Sequence, residues 1–168
     1  MAADFFGQHH RVHPHIDLAL YENRNLGVGI QGFKELKLAM KNILLVDDDH
    51  ISNFLNTKTL ERMDFVSNIQ IALNGKQAIE FLKEYYIGAK PLPDIILLDL
   101  NMPVMDGFGF LEAFRGLNLP GKDHVKIIVV SSSPNLSDIA KAKRYGAHQY
   151  LSKPANEQTL RQVLEMFE

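Results

Sequence analysis

The stretch DIILLDLNMPVMDG, residues 94–107, carries the clearest structural signal in the chain. Its apolar run Ile95–Leu98 is short and uninterrupted, which is typical of a strand buried on both faces of a sheet. The run ends at Asp99, and Pro103 and the pair Asp106-Gly107 follow as turn formers. We therefore predict a buried strand that delivers a carboxyl group to one edge of a sheet.

Similar apolar runs occur on both sides of this stretch, and segments with helical spacing separate them. The other predicted strands are Ile43–Val46, Val66–Ala72, Val125–Val130 and Gln149–Leu151. The predicted helices cover Ile51–Met63 (apolar spacing Ile51, Phe54, Leu55, Met63), the segment after an N-cap at Asn74, the segment after Asp106-Gly107, the segment from a Ser137 cap to Gly146, and the segment after an N-cap at Asn156.

The alternation of five strands with five helices indicates an α/β protein with a parallel sheet covered by helices on both faces. The predicted fold is a doubly wound, flavodoxin-like sheet of five strands. In such sheets ligands bind beyond the carboxyl ends of the strands. The residues that directly follow each apolar run are therefore the first candidates for chemistry.

Composition excludes several classes of protein. The 168 residues are 46% hydrophobic and 23% charged, as in an ordinary globular domain. A net charge of −2 gives no electrostatic reason to expect binding to nucleic acid or to an anionic membrane. The absence of cysteine excludes disulfides, zinc–thiolate sites and a cysteine nucleophile. We expect a cytoplasmic protein.

Polar residues stand at the ends of four predicted strands. In the strand order 2-1-3-4-5, which is common among doubly wound sheets, the first and third strands are neighbours and their terminal acids share one pocket. A hydroxyl and an ammonium group then arrive from the fourth and fifth strands. The residues are Asp47, Asp48 and Asp49 after the first strand, Asp99 and Asn101 after the third, Ser131 to Ser133 after the fourth, and Ser152-Lys153-Pro154 after the fifth.

These groups suit the handling of a phosphoryl group. Two carboxylates about 4 Å apart repel by roughly 4 kcal/mol at an effective dielectric near 20, so the cluster needs a cation. Hard oxygen ligands that leave waters in place favour Mg²⁺. An aspartate can serve as the nucleophile and form an aspartyl phosphate, while the metal ion and a lysine offset charge on the phosphoryl oxygens.

Four motifs, in order, resemble those of the receiver domain of two-component response regulators. They are NILLVDDD (42–49), DIILLDLNMPVMDGFGFL (94–111), IIVVSSS (127–133) and YLSKP (150–154). The resemblance runs from about Met40 to Glu168, and the ordered set is far more specific than any single motif. It implies the strand order 2-1-3-4-5 and a small receiver of the chemotaxis or phytochrome-regulator type.

The resemblance implies roles for the acidic residues. Asp99 resembles the phosphoacceptor. Asp48 resembles the acid that binds the metal ion directly, and Asp47 resembles the acid beside it. The backbone carbonyl of Asn101 corresponds to a third protein ligand of the Mg²⁺ ion.

It also implies roles beside the acids. Lys153 matches the invariant lysine, Ser131 the switch hydroxyl, and Tyr150 the aromatic switch position. The bond from Lys153 to Pro154 is usually cis in this family. Ala155 departs from the family pattern, because many members carry a bulky apolar residue after the proline.

The function implied is that of a single-domain response regulator. A histidine kinase or a histidine phosphotransfer protein would donate a phosphoryl group to Asp99, and the modified protein would present a docking surface to a downstream protein. The residues after Lys153 suffice for one helix, so we expect a stand-alone receiver. We expect neither enzymatic turnover nor binding to nucleic acid or membranes.

Other readings of these residues remain open. Asp47 to Asp49 can be a turn that caps the following helix, and Tyr150 can be a half-buried core aromatic. Phosphatases and mutases also use an aspartyl nucleophile at a strand end, but they carry it on the first strand with a second acid two residues later, where this chain has Asn101 after Asp99. A receiver-like adaptor that works without phosphorylation is a third hypothesis.

Residues 1–39 lie outside the resemblance. We expect them to be an N-terminal extension, either a solvated tail or the result of a misassigned start, because Met40 stands where such receivers usually begin. The predicted receiver domain covers residues 40–168.

Overall fold

A computed structural model describes residues 40–86, 92–133 and 135–167 of the protein. The predicted extension, residues 1–39, lies outside the described residues. The elements, in chain order, are β1 (Lys41–Val46), α1 (His50–Leu60), β2 (Val66–Ala72), α2 (Gly75–Tyr86), β3 (Ile95–Leu98), α3 (Gly107–Gly116), a 3₁₀ turn (Lys122–His124), β4 (Lys126–Ser131), α4 (Leu136–Arg144), β5 (Gln149–Ser152) and α5 (Glu157–Glu165).

The five strands form one parallel sheet in the order β2-β1-β3-β4-β5, which confirms the predicted fold class and strand order. β3 lies at the centre, and Leu98 pairs with Val46 on one side and with Val129 on the other. The carboxyl ends of β1, β3 and β4 therefore meet at one edge of the sheet.

Side chains that alternate along the strands form a core on each face of the sheet. In β1, Leu44 and Val46 pack with residues of α2, α3 and α4, whereas Ile43 and Leu45 pack with residues of α1 and α5. All four are at most 1% exposed. Burial on both faces explains why these strands are continuous apolar runs rather than alternating ones.

The helix ends follow ordinary capping chemistry. Asn74 accepts a hydrogen bond from the N–H of Gln77, and Asn156 accepts one from the N–H of Thr159, which confirms both predicted N-caps. Gly146 has a φ of 103°, as expected of the glycine that follows a helix end. The predicted cap of α4 is wrong, because the helix begins two residues earlier and Asn135, not Ser137, is its N-cap.

The apolar spacing of α1 proved misleading. Ile51, Phe54 and Leu55 are 71%, 60% and 57% exposed, so they do not form the inner face of an amphipathic helix. The inner face instead carries Asn53 and Leu60, which lie two helical turns apart and are both buried. Asn53 takes this place because its side chain hydrogen-bonds to the end of β1.

Among the described residues, no helix has the length and apolar character needed to cross a bilayer.

Candidate functional site

Backbone hydrogen bonds beyond the strand ends place the predicted site residues. The N–H of Asp99 donates to the carbonyl of Val46 at 2.8 Å, and the N–H of Asp47 donates to that of Ala72 at 3.0 Å. The N–H of Lys153 donates to the carbonyl of Ser131 at 2.9 Å. The parallel ladders thus continue for one residue past three strands and hold these side chains at the same edge.

Asp47, Asp48 and Asp99 form an acidic cluster at this edge. Each offers a carboxylate oxygen within 4.8 Å of the other two. Asp47 and Asp99 are 5% and 6% exposed, whereas Asp48 is open to solvent. Three carboxylates this close repel one another strongly unless positive charge lies among them.

Lys153 supplies positive charge to the cluster. Its Nζ lies 2.7 Å from Oδ2 of Asp47 and 3.2 Å from Oδ2 of Asp99. Burial raises the pKa of Asp99, and the charge and hydrogen bond of Lys153 only partly offset this effect. Burial acts to lower the pKa of Lys153, but its hydrogen bond to Asp47 and the charges of Asp99 and Asp47 outweigh burial and raise it.

The third acid of the β1 end has a different task. Asp49 accepts hydrogen bonds from the N–H groups of Ile51 and Ser52, which lower its pKa, and it is the N-cap of α1. The capping interpretation is thus correct for Asp49, while Asp47 and Asp48 belong to the cluster.

Asn53 is a site residue that the sequence analysis missed. It is 3% exposed, and its Nδ2 donates to the backbone carbonyl of Asp47 at 2.8 Å. Oδ1 of Asp47 also accepts from the N–H of Asp49 at 2.9 Å. A polar residue seven positions before the buried Leu60 is the only signal in the sequence that could have indicated this role.

The loop after β3 brings the backbone close to the phosphoacceptor candidate. The N–H of Leu100 donates to Oδ1 of Asp99 at 2.8 Å, and Asn101 is exposed two residues beyond Asp99. A Cβ on Gly107 would lie 2.4 Å from the carbonyl oxygen of Asp99, so only glycine fits there. The start of α3 is in this way packed directly against the acidic cluster.

Two further predicted residues lie on β4 and β5. Ser131, the last residue of β4, is fully buried, and its Oγ accepts from the N–H of Ser133 at 3.3 Å. Tyr150 is partly buried, and its hydroxyl donates to the carbonyl of Ser133 at 2.7 Å. The peptide bond between Lys153 and Pro154 is cis.

The donor set of the cluster fits a hard divalent cation. Carboxylate oxygens are the ligands that Mg²⁺ prefers, and the exposure of Asp48 leaves one side open for water. The described residues place Lys153 opposite, where it balances two of the three acids. The cluster can hold a metal ion.

Comparison with known proteins agrees with the fold and identifies the family. The family profile described as response regulator receiver domain matches residues 43–165. A two-component response regulator from Cytophaga hutchinsonii is 33% identical, with a TM-score of 0.69 over 77% of this chain and 97% of that one. The phosphorylated cyanobacterial phytochrome response regulator RcpA is 30% identical, with a TM-score of 0.64 over 77% of this chain and 92% of that one.

Several curated relatives are longer proteins. The transcriptional regulatory protein MalR of Bacillus subtilis is 36% identical over 115 residues, which are 68% of this chain and 45% of that protein. The described part of the chain thus corresponds to one domain of such a regulator. With its sheet order, its acidic strand-end pocket and its match over residues 43–165, the chain belongs to the receiver domain family of two-component response regulators.

Proposed function

We propose that Asp99 accepts a phosphoryl group from a phosphohistidine of a histidine kinase or a histidine phosphotransfer protein. The observation that carries this proposal is the environment of Asp99. It is a buried carboxylate at the centre of the sheet edge, 3.2 Å from a lysine ammonium and within one cluster with two other acids. A buried carboxylate is costly to ionise. A carboxylate whose pKa is shifted by burial and by a specific charged partner is a candidate functional residue.

The chain's own side chains account for the transfer. An oxygen of the Asp99 carboxylate attacks phosphorus, the phosphorus–nitrogen bond to the donor histidine breaks, and that bond's electron pair stays on the imidazole nitrogen. Lys153 favours the ionised form of Asp99, and its ammonium group lies beside Oδ2 of that carboxylate. From this position it can offset charge on the phosphoryl oxygens.

The proposed cofactor is Mg²⁺, held by Asp47, Asp48, Asp99 and the backbone carbonyl of Asn101. When bound, the ion supplies electrostatic stabilisation of the phosphoryl oxygens.

Chemical phosphorylation tests the acceptor. With Mg²⁺ and acetyl phosphate, the protein should gain one acid-stable, base-labile phosphoryl group, detected by intact mass. Asp99→Asn should gain none, because an amide is not a nucleophile. Asp123→Asn, which changes an exposed acid in the 3₁₀ turn, is the matched control. Equal labelling of Asp99→Asn and the wild type would make the assignment wrong.

Loss of a proposed ligand tests the metal site. Asp48→Ala should weaken Mg²⁺ binding about tenfold or more in calorimetry and should lower labelling in parallel, because one carboxylate is removed from the donor set. Asp48 is exposed, so this variant leaves the core intact. Undiminished labelling of the wild type in EDTA would contradict a role for the ion.

The phosphorylated protein is proposed to act as a switch and not as an enzyme with turnover. Ser131 would donate to a phosphoryl oxygen, and Tyr150, hydrogen-bonded near Ser131, would change the surface formed by α4, β5 and α5. A downstream protein would read that surface. Acetyl phosphate consumption that stops when every molecule is labelled, apart from slow hydrolysis of the aspartyl phosphate, is the expected result.

A further inference from the structure

Ser133 connects the proposed sensor and the proposed output residue. Its N–H donates to Oγ of Ser131 at 3.3 Å, and its carbonyl accepts from the hydroxyl of Tyr150 at 2.7 Å. The peptide unit before the Cα of Ser133 thus contacts Ser131, and the peptide unit after it contacts Tyr150. The position of this short segment decides whether both contacts can form together.

The Ser133 side chain is tied to α4. Its Oγ donates to Oδ2 of Asp138 at 2.6 Å and accepts from the N–H of Asn135 at 3.3 Å. Asp138 is partly buried in the first turn of α4. Among the described residues, the side chain of Asn135 makes no capping hydrogen bond of its own, so Ser133 and Asp138 supply the connection at this helix start.

We propose that Asp138 is a positioning residue that, through Ser133, holds Tyr150 in an inward position. In this position the Tyr150 hydroxyl donates to the carbonyl of Ser133. The short hydrogen bond to a carboxylate is of the stronger, charge-assisted kind. It fixes the Ser133 side chain, and the carbonyl that accepts from Tyr150 belongs to the same residue. Asp138 does not touch the phosphoacceptor, and it acts only through this contact.

The latch, defined as the Ser133–Asp138 hydrogen bond, sets the resting balance between inward and outward Tyr150. A strong latch keeps the inward position well populated before phosphorylation, and it thereby limits how far phosphorylation can shift the balance. This consequence rests on the proposed function. The effect of the latch on the position of Tyr150 is independent of the proposed function, because it concerns the unphosphorylated protein.

Fluorine NMR of the full chain labelled with 3-fluorotyrosine tests the latch without phosphorylation. The chain has five tyrosines, and Tyr150→Phe assigns the signal of interest by its loss. Asp138→Ala and Ser133→Ala should each lower the inward-to-outward ratio of Tyr150, by roughly tenfold, since each removes a hydrogen bond to a charged group. Asp123→Ala, at the 3₁₀ turn, should leave the ratio unchanged.

A double-mutant cycle distinguishes the latch from general loosening of α4. Ser133→Ala/Asp138→Ala should match Ser133→Ala, because once the Ser133 hydroxyl is gone the change at Asp138 removes no further part of the Ser133–Asp138 hydrogen bond. Asp138→Asn, which keeps an oxygen acceptor but loses the charge assistance, should give a ratio between those of the wild type and Asp138→Ala. Additive effects, or an Asn variant as impaired as the Ala variant, would overturn the latch.

The two proposals fail separately. An unchanged Tyr150 ratio in both single variants overturns the latch, whatever acetyl phosphate labelling shows. Absence of labelling on Asp99 with the predicted Tyr150 shifts overturns the proposed function and leaves the latch supported. Asp138→Asn and Ser133→Ala are nearly isosteric, so at least these two variants should remain folded, which a melting curve verifies.

Discussion

At the scale of single residues, the ionised form of Asp99 lowers the stability of the fold, and Asp99 is also the proposed phosphoacceptor. The side chain is buried, and burial raises its pKa despite the lysine 3.2 Å away. A group with a raised folded-state pKa binds its proton more tightly in the folded protein than in the unfolded chain. Protonated Asp99 therefore stabilises the fold, and this contribution is lost as pH rises through the folded-state pKa.

Asp99→Asn should consequently raise the melting temperature at pH 7. The amide resembles the protonated acid at every pH, so the variant avoids the cost of a buried charge. We expect a rise of roughly 4 °C, which corresponds to about 1 kcal/mol in a domain of this size. The gain should vanish near pH 3, below the ordinary pKa of aspartate of about 3.9. Melting curves from pH 3 to 8 without Mg²⁺ provide the test.

Asp123→Asn serves as the control for this series, because it also removes one carboxylate and is exposed. It should melt within about 1 °C of the wild type at all pH values. A gain for Asp99→Asn that persists unchanged at pH 3 would show that relief of the buried charge is not its cause.

Candidate site residues at strand ends could be predicted, whereas those that act through side-chain contacts could not. Asp99, Asp47 and Lys153 each follow an apolar run, and parallel strands end at one edge of a sheet. Asn53 contacts the site only through a hydrogen bond that depends on how α1 packs, and the bond from Ser133 to Asp138 depends on how α4 packs. Apart from the spacing of Asn53 to the buried Leu60, the local sequence contains no signal that distinguishes such residues from ordinary polar ones.

At the scale of secondary-structure elements, α1 presents an apolar face to solvent. Ile51, Phe54 and Leu55 are its exposed large side chains. Leu55 also lines a groove of about 330 Å³ whose other walls include Val130, Lys153 and Ala155. Because Lys153 belongs to both the groove and the acidic cluster, a protein seated here would reach the phosphoacceptor. We propose that the phosphodonor docks on this face.

Leu55→Asp should separate docking from chemistry. We expect the rate of phosphoryl transfer from a cognate histidine phosphotransfer protein to fall about tenfold or more, because a charge replaces an apolar contact. Labelling by acetyl phosphate, which needs no docking, should be unchanged. Met166→Asp, an equally drastic change at a 63% exposed methionine in the turn after α5, is the control. If Leu55→Asp slowed labelling by acetyl phosphate as much as transfer from the phosphotransfer protein, Leu55 would act in the phosphoryl-transfer step and not in docking.

The same helix shows why periodicity predicts an element better than its orientation. The spacing of Ile51, Phe54 and Leu55 correctly indicated a helix but suggested the wrong inner face. Asp49 fixes the start of the helix, and the burial of Leu60 fixes its rotation. An exposed apolar face is favoured only where a partner covers it, which a single-chain pattern cannot reveal.

At the scale of the whole molecule, the layered architecture of the fold follows from general rules. Continuous apolar strands indicated burial on both faces, and the structure has one core cluster on each face. The central place of β3 required the resemblance to known receivers, because alternation alone is compatible with several strand orders. Its place next to β1 brings Asp47, Asp48 and Asp99 into one cluster.

The domain boundary at Met40 stays a prediction, and deletion tests it. All five strands, both core clusters and the acidic cluster with Lys153 lie within residues 40–167. A chain that starts at Met40 should therefore fold, melt within about 3 °C of the full chain, and label at Asp99 to the same extent. Calorimetry and intact mass after acetyl phosphate treatment measure both. A fall of more than about 10 °C would mean that residues 1–39 contribute several kcal/mol to the domain, and the boundary would have to be moved toward the N-terminus.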